Sequence, residues 1–357
     1  MSEPIILEEY NYFPALRTRP AEVRGYSFLT QNIKDGLLPL FTLGLWKKDE
    51  MIGRSIKELG DALEGRPFLL DITRESAYQN VEVRSLLNPD DNFKNWRNFS
   101  SKVGGAIPIV QITPITKKSQ VIRQARILEG HGFNKVVFRV TEFKDSIDMV
   151  TSALASLDSI ENALVIIDAG YIRESMAASL AACVTAINSI REEVEETLIS
   201  VISTSFPASI IPHTVDGGMS GAITILERVL HQEIGADAAV YGDHGSIHSK
   251  VYPVSGGKYT PRIDYPLYDA WVFERRPDTN ANGYVQAAQQ LVAERPEILE
   301  DESWGAEKIR NAADGEIDGM KTPASWIAAR VNTHITKQWE LSNRDVTDDE
   351  DDAEDLF

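Results

Sequence analysis

Residues 163–205 read ALVIIDAGYIRESMAASLAACVTAINSIREEVEETLISVISTS. The stretch opens on an apolar run that ends in Asp168 and Gly170. It continues through a long helical segment from about 174 to 195 and closes on a second apolar run, 198–205. Neither run alternates polar with apolar residues, so each reads as a strand covered on both faces, as in a parallel sheet flanked by helices. Moving outward from this unit, the same succession recurs. Strand segments are predicted at 12–16, 37–43, 66–73 (RPFLLDIT), 106–113 (AIPIVQIT), 135–140 (KVVFRV) and 237–245 (DAAVYGDHG). Helices are predicted at 20–29, 55–63, around 91–102, 119–131, 145–156 and 222–234. Pro20 suits a first helical turn, and Gly130 and Gly132 suit a helix stop. Eight strands, the first seven each followed by a helix, within about 245 residues match a closed (β/α)8 barrel of the TIM type. An open doubly wound sheet accommodates the units but requires no such count.

The pattern changes after residue 245. KYTPRIDYPL and YDAWVFERR predict two antiparallel strands joined by a short turn. Helices follow at 282–295, around WGAEKIRNAADG, and from Pro323 to about 341. The expected organisation is an α/β barrel over 12–245, a C-terminal α+β extension over 246–341 packed on it, and an acidic tail, 342–357, disordered in isolation. The chain has 357 residues and a net charge of −18; eight carboxylates lie in 345–357, leaving −10 for the rest. An acidic body disfavours direct binding to phosphate backbones. There is no apolar run long enough to span a membrane and no basic, apolar leader, so a cytoplasmic location and no membrane partner are expected. The single Cys183 excludes an internal disulfide and a zinc–thiolate cluster, and its AACVTAIN context reads as core.

Several strings, taken together, resemble the Beta protein family of phage and bacterial genomes. They are FPALRTRPAE with GLLPLFTL near the start, RPFLLDIT, VVFRV, LVIIDAG and STSFPAS along the barrel, and VYGDHGSIH after it. PRIDYPLYDAWVFERR, SWGAEKIRNAA and TPASWIAARVNTHIT, in the C-terminal section, are the most specific. The likeness spans about 12 to 341 and leaves out the acidic tail. It implies a barrel fold and a role in phages or in mobile, defence-associated gene neighbourhoods, and it carries no settled catalytic activity.

In a (β/α)8 barrel the site lies at the C-terminal ends of the strands. The polar residues there are Arg17, Asp71, Gln111, Arg139, Asp168, Ser203, Ser205, Asp243 and His244. Asp71, Arg139, Asp168 and Asp243 are the catalytic candidates, because paired carboxylates in unlike environments can act as acid and base. An arginine beside them can hold a phosphate or carboxylate. Arg17, His244 and Arg275 are candidate ligand contacts. The competing reading is that the Asp and Arg side chains pair with one another, since a charge inside a barrel is rarely left alone. His244 and His248 lie on an expected loop without an HExxH spacing, so no metal is expected. VDGGMSGA (215–222) precedes a predicted helix and could approach a phosphate, but it lacks the spacing of a P-loop or dinucleotide fingerprint. No cofactor is implied.

The tail ends Asp355-Leu356-Phe357. An apolar pair after a carboxylate run has the form of a docking peptide: the apolar side chains fill a pocket and the acids steer toward a basic rim. Two functions follow. One is a barrel that binds a protein partner in phage replication or phage–host conflict, with the tail as docking peptide. The other is a barrel enzyme acting on a phosphorylated or nucleotide-like substrate through carboxylate acid–base chemistry.

Overall fold

The computed structural model describes residues 5–47, 50–250, 259–277 and 280–354. Twelve strands are present among them: β1 Phe13–Arg17, β2 Leu40–Leu43, β3 Phe68–Ile72, β4 Ala106–Val110, β5 Val136–Val140, β6 Ala163–Tyr171, β7 Leu198–Thr204, β8 Thr214–Val215, β9 Ser220–Thr224, β10 Val240–Asp243, β11 Arg262–Pro266 and β12 Ala270–Arg275. Eight of these close into a barrel in the order β1-β10-β7-β6-β5-β4-β3-β2. Neighbours run parallel, as at Val136↔Ala163 and Leu164↔Leu198. The expected α/β barrel is therefore the observed one.

Side-chain parity along each strand separates two cores. Leu69, Ile107, Ile109, Val137, Leu164 and Ile166 fill the barrel interior. Their sequence neighbours Val136, Phe138, Val165 and Ile167 pack outward with Val121, Ala125, Cys183 and Ala186 of the surrounding helices. This period of two explains why the runs look uniformly apolar, since both faces are buried.

The remaining strands form a second sheet, β11-β12-β9-β8, in antiparallel pairing. This corrects two expectations. The predicted helix over 222–234 begins only at Glu227, within Glu227–Ile234, because residues 220–224 pair with β12 instead. The Gly-rich 215–222 segment spans the β8–β9 hairpin, with its turn between Val215 and Ser220, and is not a loop leading to a helix N-terminus. A backbone hydrogen-bonding partner some 50 residues away decided the matter, which local periodicity does not report.

The last helix, Pro323–Glu354, is longer than the predicted 323–341 and runs into the acidic segment. Its Val331 and Ile335 share a core with Val23, Tyr26 and Tyr241. Asn332 Nδ2 donates to the Gly25 carbonyl at 3.0 Å, and Arg228 Nε donates to Gln338 Oε1 at 2.8 Å. The helix thus lies between Pro20–Ser27, which follows β1, and Glu227–Ile234, which precedes β10. That is the place of the helix expected directly after the eighth barrel strand. The intervening β11–β12 pair and the helices Gly283–Glu294 and Trp304–Ala313 enclose their own core of Ile263, Tyr265, Leu291, Ile309 and Trp326. No described helix is long and apolar enough to cross a membrane.

Candidate functional site

The inward rows that fill the barrel end in polar residues at its C-terminal mouth. Leu69 is followed two residues on by Asp71, Val137 by Arg139, and Ile166 by Asp168. The closed barrel brings these three together across its axis. Arg139 Nη1 donates to Asp71 Oδ2 at 2.9 Å, and Nη2 donates to Asp168 Oδ2 at 2.6 Å. Thr42 Oγ1, on the inward row of β2, accepts from Arg139 Nη1 at 3.0 Å. His244 Nε2 lies 2.9 Å from Asp168 Oδ1, which also accepts from Gly170 N. Asp71 Oδ1 accepts from Gln111 Nε2 at 3.0 Å and from Ile72 N at 2.8 Å. Side-chain exposure across Asp71, Arg139, Asp168 and His244 runs only from 7% to 13%.

The electrostatics follow from this pairing. Burial alone would raise Asp168, but His244 and Arg139 outweigh it and hold the carboxyl well below the usual range. At neutral pH Asp168 is an ionised acceptor already served by Arg139, His244 and an amide. Such a group is a weak base and no acid. Arg74 lies beside the cluster, with Nη2 donating to Gln111 Oε1 at 2.8 Å and to the Ile112 carbonyl at 3.2 Å; both acceptors are uncharged. His248 stacks on Tyr171 with centroids 4.4 Å apart, and its imidazole is lowered mainly by burial.

The other candidates lie elsewhere. Asp243 belongs to the outward row with Tyr241 and is fully buried behind the barrel wall. Its Oδ1 accepts from Tyr12 Oη at 2.9 Å and Gly245 N at 2.7 Å. Its Oδ2 accepts from Tyr241 Oη at 2.9 Å and faces His334 Nε2 at 3.0 Å. Trp271 Nε1, which can only donate, approaches His334 Nδ1 at 3.3 Å, so the ring proton sits on Nε2 toward Asp243. Arg17 is engaged by Glu22, Nε to Oε1 at 3.0 Å. Arg275 stands on β12, away from the mouth cluster, and donates to the Gly218 carbonyl at 2.8 Å. Ser205 anchors the helix after β9: its Oγ donates to Glu227 Oε2 at 2.5 Å and accepts from Leu226 N at 3.0 Å. Burial pushes the Cys183 thiol up to about 12, which makes it inert. Asp355, Leu356 and Phe357 lie outside the described residues.

Sequence reading missed Thr42, Arg74 and His334. Thr42 carried a usable signal, since it follows Leu40 on an inward row. His334 carried none, because only the return of the last helix to the barrel brings it to Asp243.

The family model described as Beta protein matches residues 12–340. Protein beta of Enterobacteria phage P4 is 44% identical over 354 residues, covering 99% of this chain and 99% of its own. No solved structure matches the chain.

Proposed function

The chain belongs to the Beta protein family, and from that footing we propose that it acts by binding a protein partner through the open end of its barrel. The partner is a component of phage replication or of phage–host conflict, a placement supported by the relative encoded by phage P4. The carrying observation is the character of the mouth. Its central charges are spent on one another, while its rim presents large apolar side chains. Met51, Val81 and Ile115, on the connections after β2, β3 and β4, are 67%, 77% and 73% exposed. Exposed apolar residues gathered at one end of a molecule favour association. The tail adds a second contact, with Leu356 and Phe357 entering a partner's pocket and the acids before them steering it.

Quantitative affinity capture tests both contacts. The full chain is compared with Met51→Ser/Val81→Ser/Ile115→Ser and with a chain ending at Arg344. Arg344 is the sensible end because its Nη2 still reaches Tyr268 Oη at 2.8 Å. A replication or defence protein retained by the full chain and lost from the triple variant supports the rim. Its loss from the shortened chain supports the tail. Equal capture by all three overturns the reading.

One observation favours an enzyme acting on a phosphorylated or nucleotide-like substrate. His244 at the mouth is oriented by Asp168 in the manner of a base and its positioning carboxylate. Arg139 and Arg74 beside it could hold an anion. A hydrolytic screen against phosphorylated substrates, repeated with His244→Gln, decides this reading. Turnover abolished by that change supports it, and no turnover by the full chain removes it.

A further inference from the structure

A cleft of about 330 Å³ opens between the second sheet, the loop after β7 and the first turn of the last helix. It shares no lining residue with the mouth cluster, so its reading stands apart from the function proposed above. Among the described residues, the ionisable side chains on its wall, tyrosines aside, are Arg262, Asp264 and Arg275. Asp264 is already claimed, by Arg262 Nε at 2.9 Å and by the buried Arg330 Nη1 at 2.6 Å. Arg275 bonds the Gly218 carbonyl and pairs with no carboxylate among the described residues. The cleft therefore carries an excess of positive charge in a chain whose net charge is −18. The first turn of the last helix, at Pro323 and Trp326, adds the positive end of a helix dipole.

The rest of the wall is aromatic. Tyr259 and Tyr284 lie nearly parallel, centroids 6.5 Å apart, and Trp326 tilts against Tyr284 at 5.4 Å. Tyr284 is fully buried, yet its hydroxyl has no hydrogen-bond partner among the described residues. A buried orphan hydroxyl is costly, and a ligand atom in the cleft would offset that cost. We propose that this cleft binds a small organic anion bearing a planar ring. Arg275 and Arg262 hold its charge, Tyr259 and Tyr284 face its ring, and Tyr284 Oη donates to it.

Calorimetric titration of the full chain tests this with AMP and indole-3-acetate as the two ring-bearing anions. Adenosine and inorganic phosphate serve as the ring without charge and the charge without ring. The expected result is binding of AMP or indole-3-acetate, whichever anion the arginines prefer, with adenosine and phosphate each at least tenfold weaker. Arg275→Gln weakens that binding roughly tenfold or more. Tyr284→Phe weakens it severalfold while the free variant melts no lower than the parent, which separates a ligand contact from a structural one. The proposal is overturned if neither ring-bearing anion binds at about 1 mM, if phosphate alone binds as well, or if Arg275→Gln leaves affinity unchanged.

Discussion

Asp243 and His244 are adjacent in sequence and answer to opposite sides of the barrel wall. His244 meets Asp168 at the mouth, whereas Asp243 meets Tyr12, Tyr241 and His334 behind it. Burial would raise the Asp243 carboxyl, but His334 and the bonds from Gly245 and Tyr241 hold it at about 2, below its ordinary 3.8. A depressed folded-state value means stability that is present above the unfolded value and lost as pH falls toward the folded one. The loss falls between roughly pH 4 and pH 2 and amounts to about 2 kcal/mol for this group. Urea unfolding of the parent and of Asp243→Asn across that window is the check. The variant is less stable at pH 6 and loses less on acidification, and an unchanged acid slope would refute the assignment. Arg139 is held between two carboxylates, so Arg139→Ala leaves Asp71 and Asp168 facing each other without their shared cation, with only His244 and neutral donors beside them. It is expected to cost about 3–5 kcal/mol in the same assay, and a loss under about 1 kcal/mol would mean the cluster is effectively solvated.

Among the elements, the last helix has the largest structural role for its place in the sequence. Pro323–Glu354 arrives after the β11–β12 pair and two further helices, yet it packs where a helix directly following β10 would lie. Its fit depends on Gly25 in the first barrel helix. A Cβ there would stand 2.7 Å from the Ala328 carbonyl oxygen and 2.9 Å from Val331 Cβ. Both obstacles are on a packed helix and cannot swing aside. Gly25→Ala should therefore lose about 1–3 kcal/mol despite the better helix propensity of alanine. A denaturation midpoint equal to or above the parent's would show that the two helices can separate at little cost.

The whole molecule closes on itself through that helix. Without it, Val23, Tyr26 and Tyr241 lose the cover of Val331 and Ile335, and Asp243 loses His334. A chain ending at Gly245 contains all eight barrel strands but exposes this seam. It is expected to lack a cooperative thermal transition by circular dichroism, whereas a chain ending at Arg344 melts as the full chain does. A cooperative melt of the shorter fragment would show that the barrel is autonomous.

Reading the sequence alone was enough to recover the barrel, because strands buried on both faces leave long apolar runs and each run is punctuated by a helix of its own. The polar ends of the inward rows, Asp71, Arg139 and Asp168, were legible for the same reason, as was the likeness to the Beta protein family. Pairing between distant segments was not legible. The β9 strand reads as the start of a helix until β12 lies beside it, the last helix reads as part of an appendage until it meets Gly25, and His334 has no visible partner until that helix brings it to Asp243. Each of these was decided by contacts between residues far apart in sequence, whose free energy comes from excluding water at a shared surface and leaves no periodic trace in either segment.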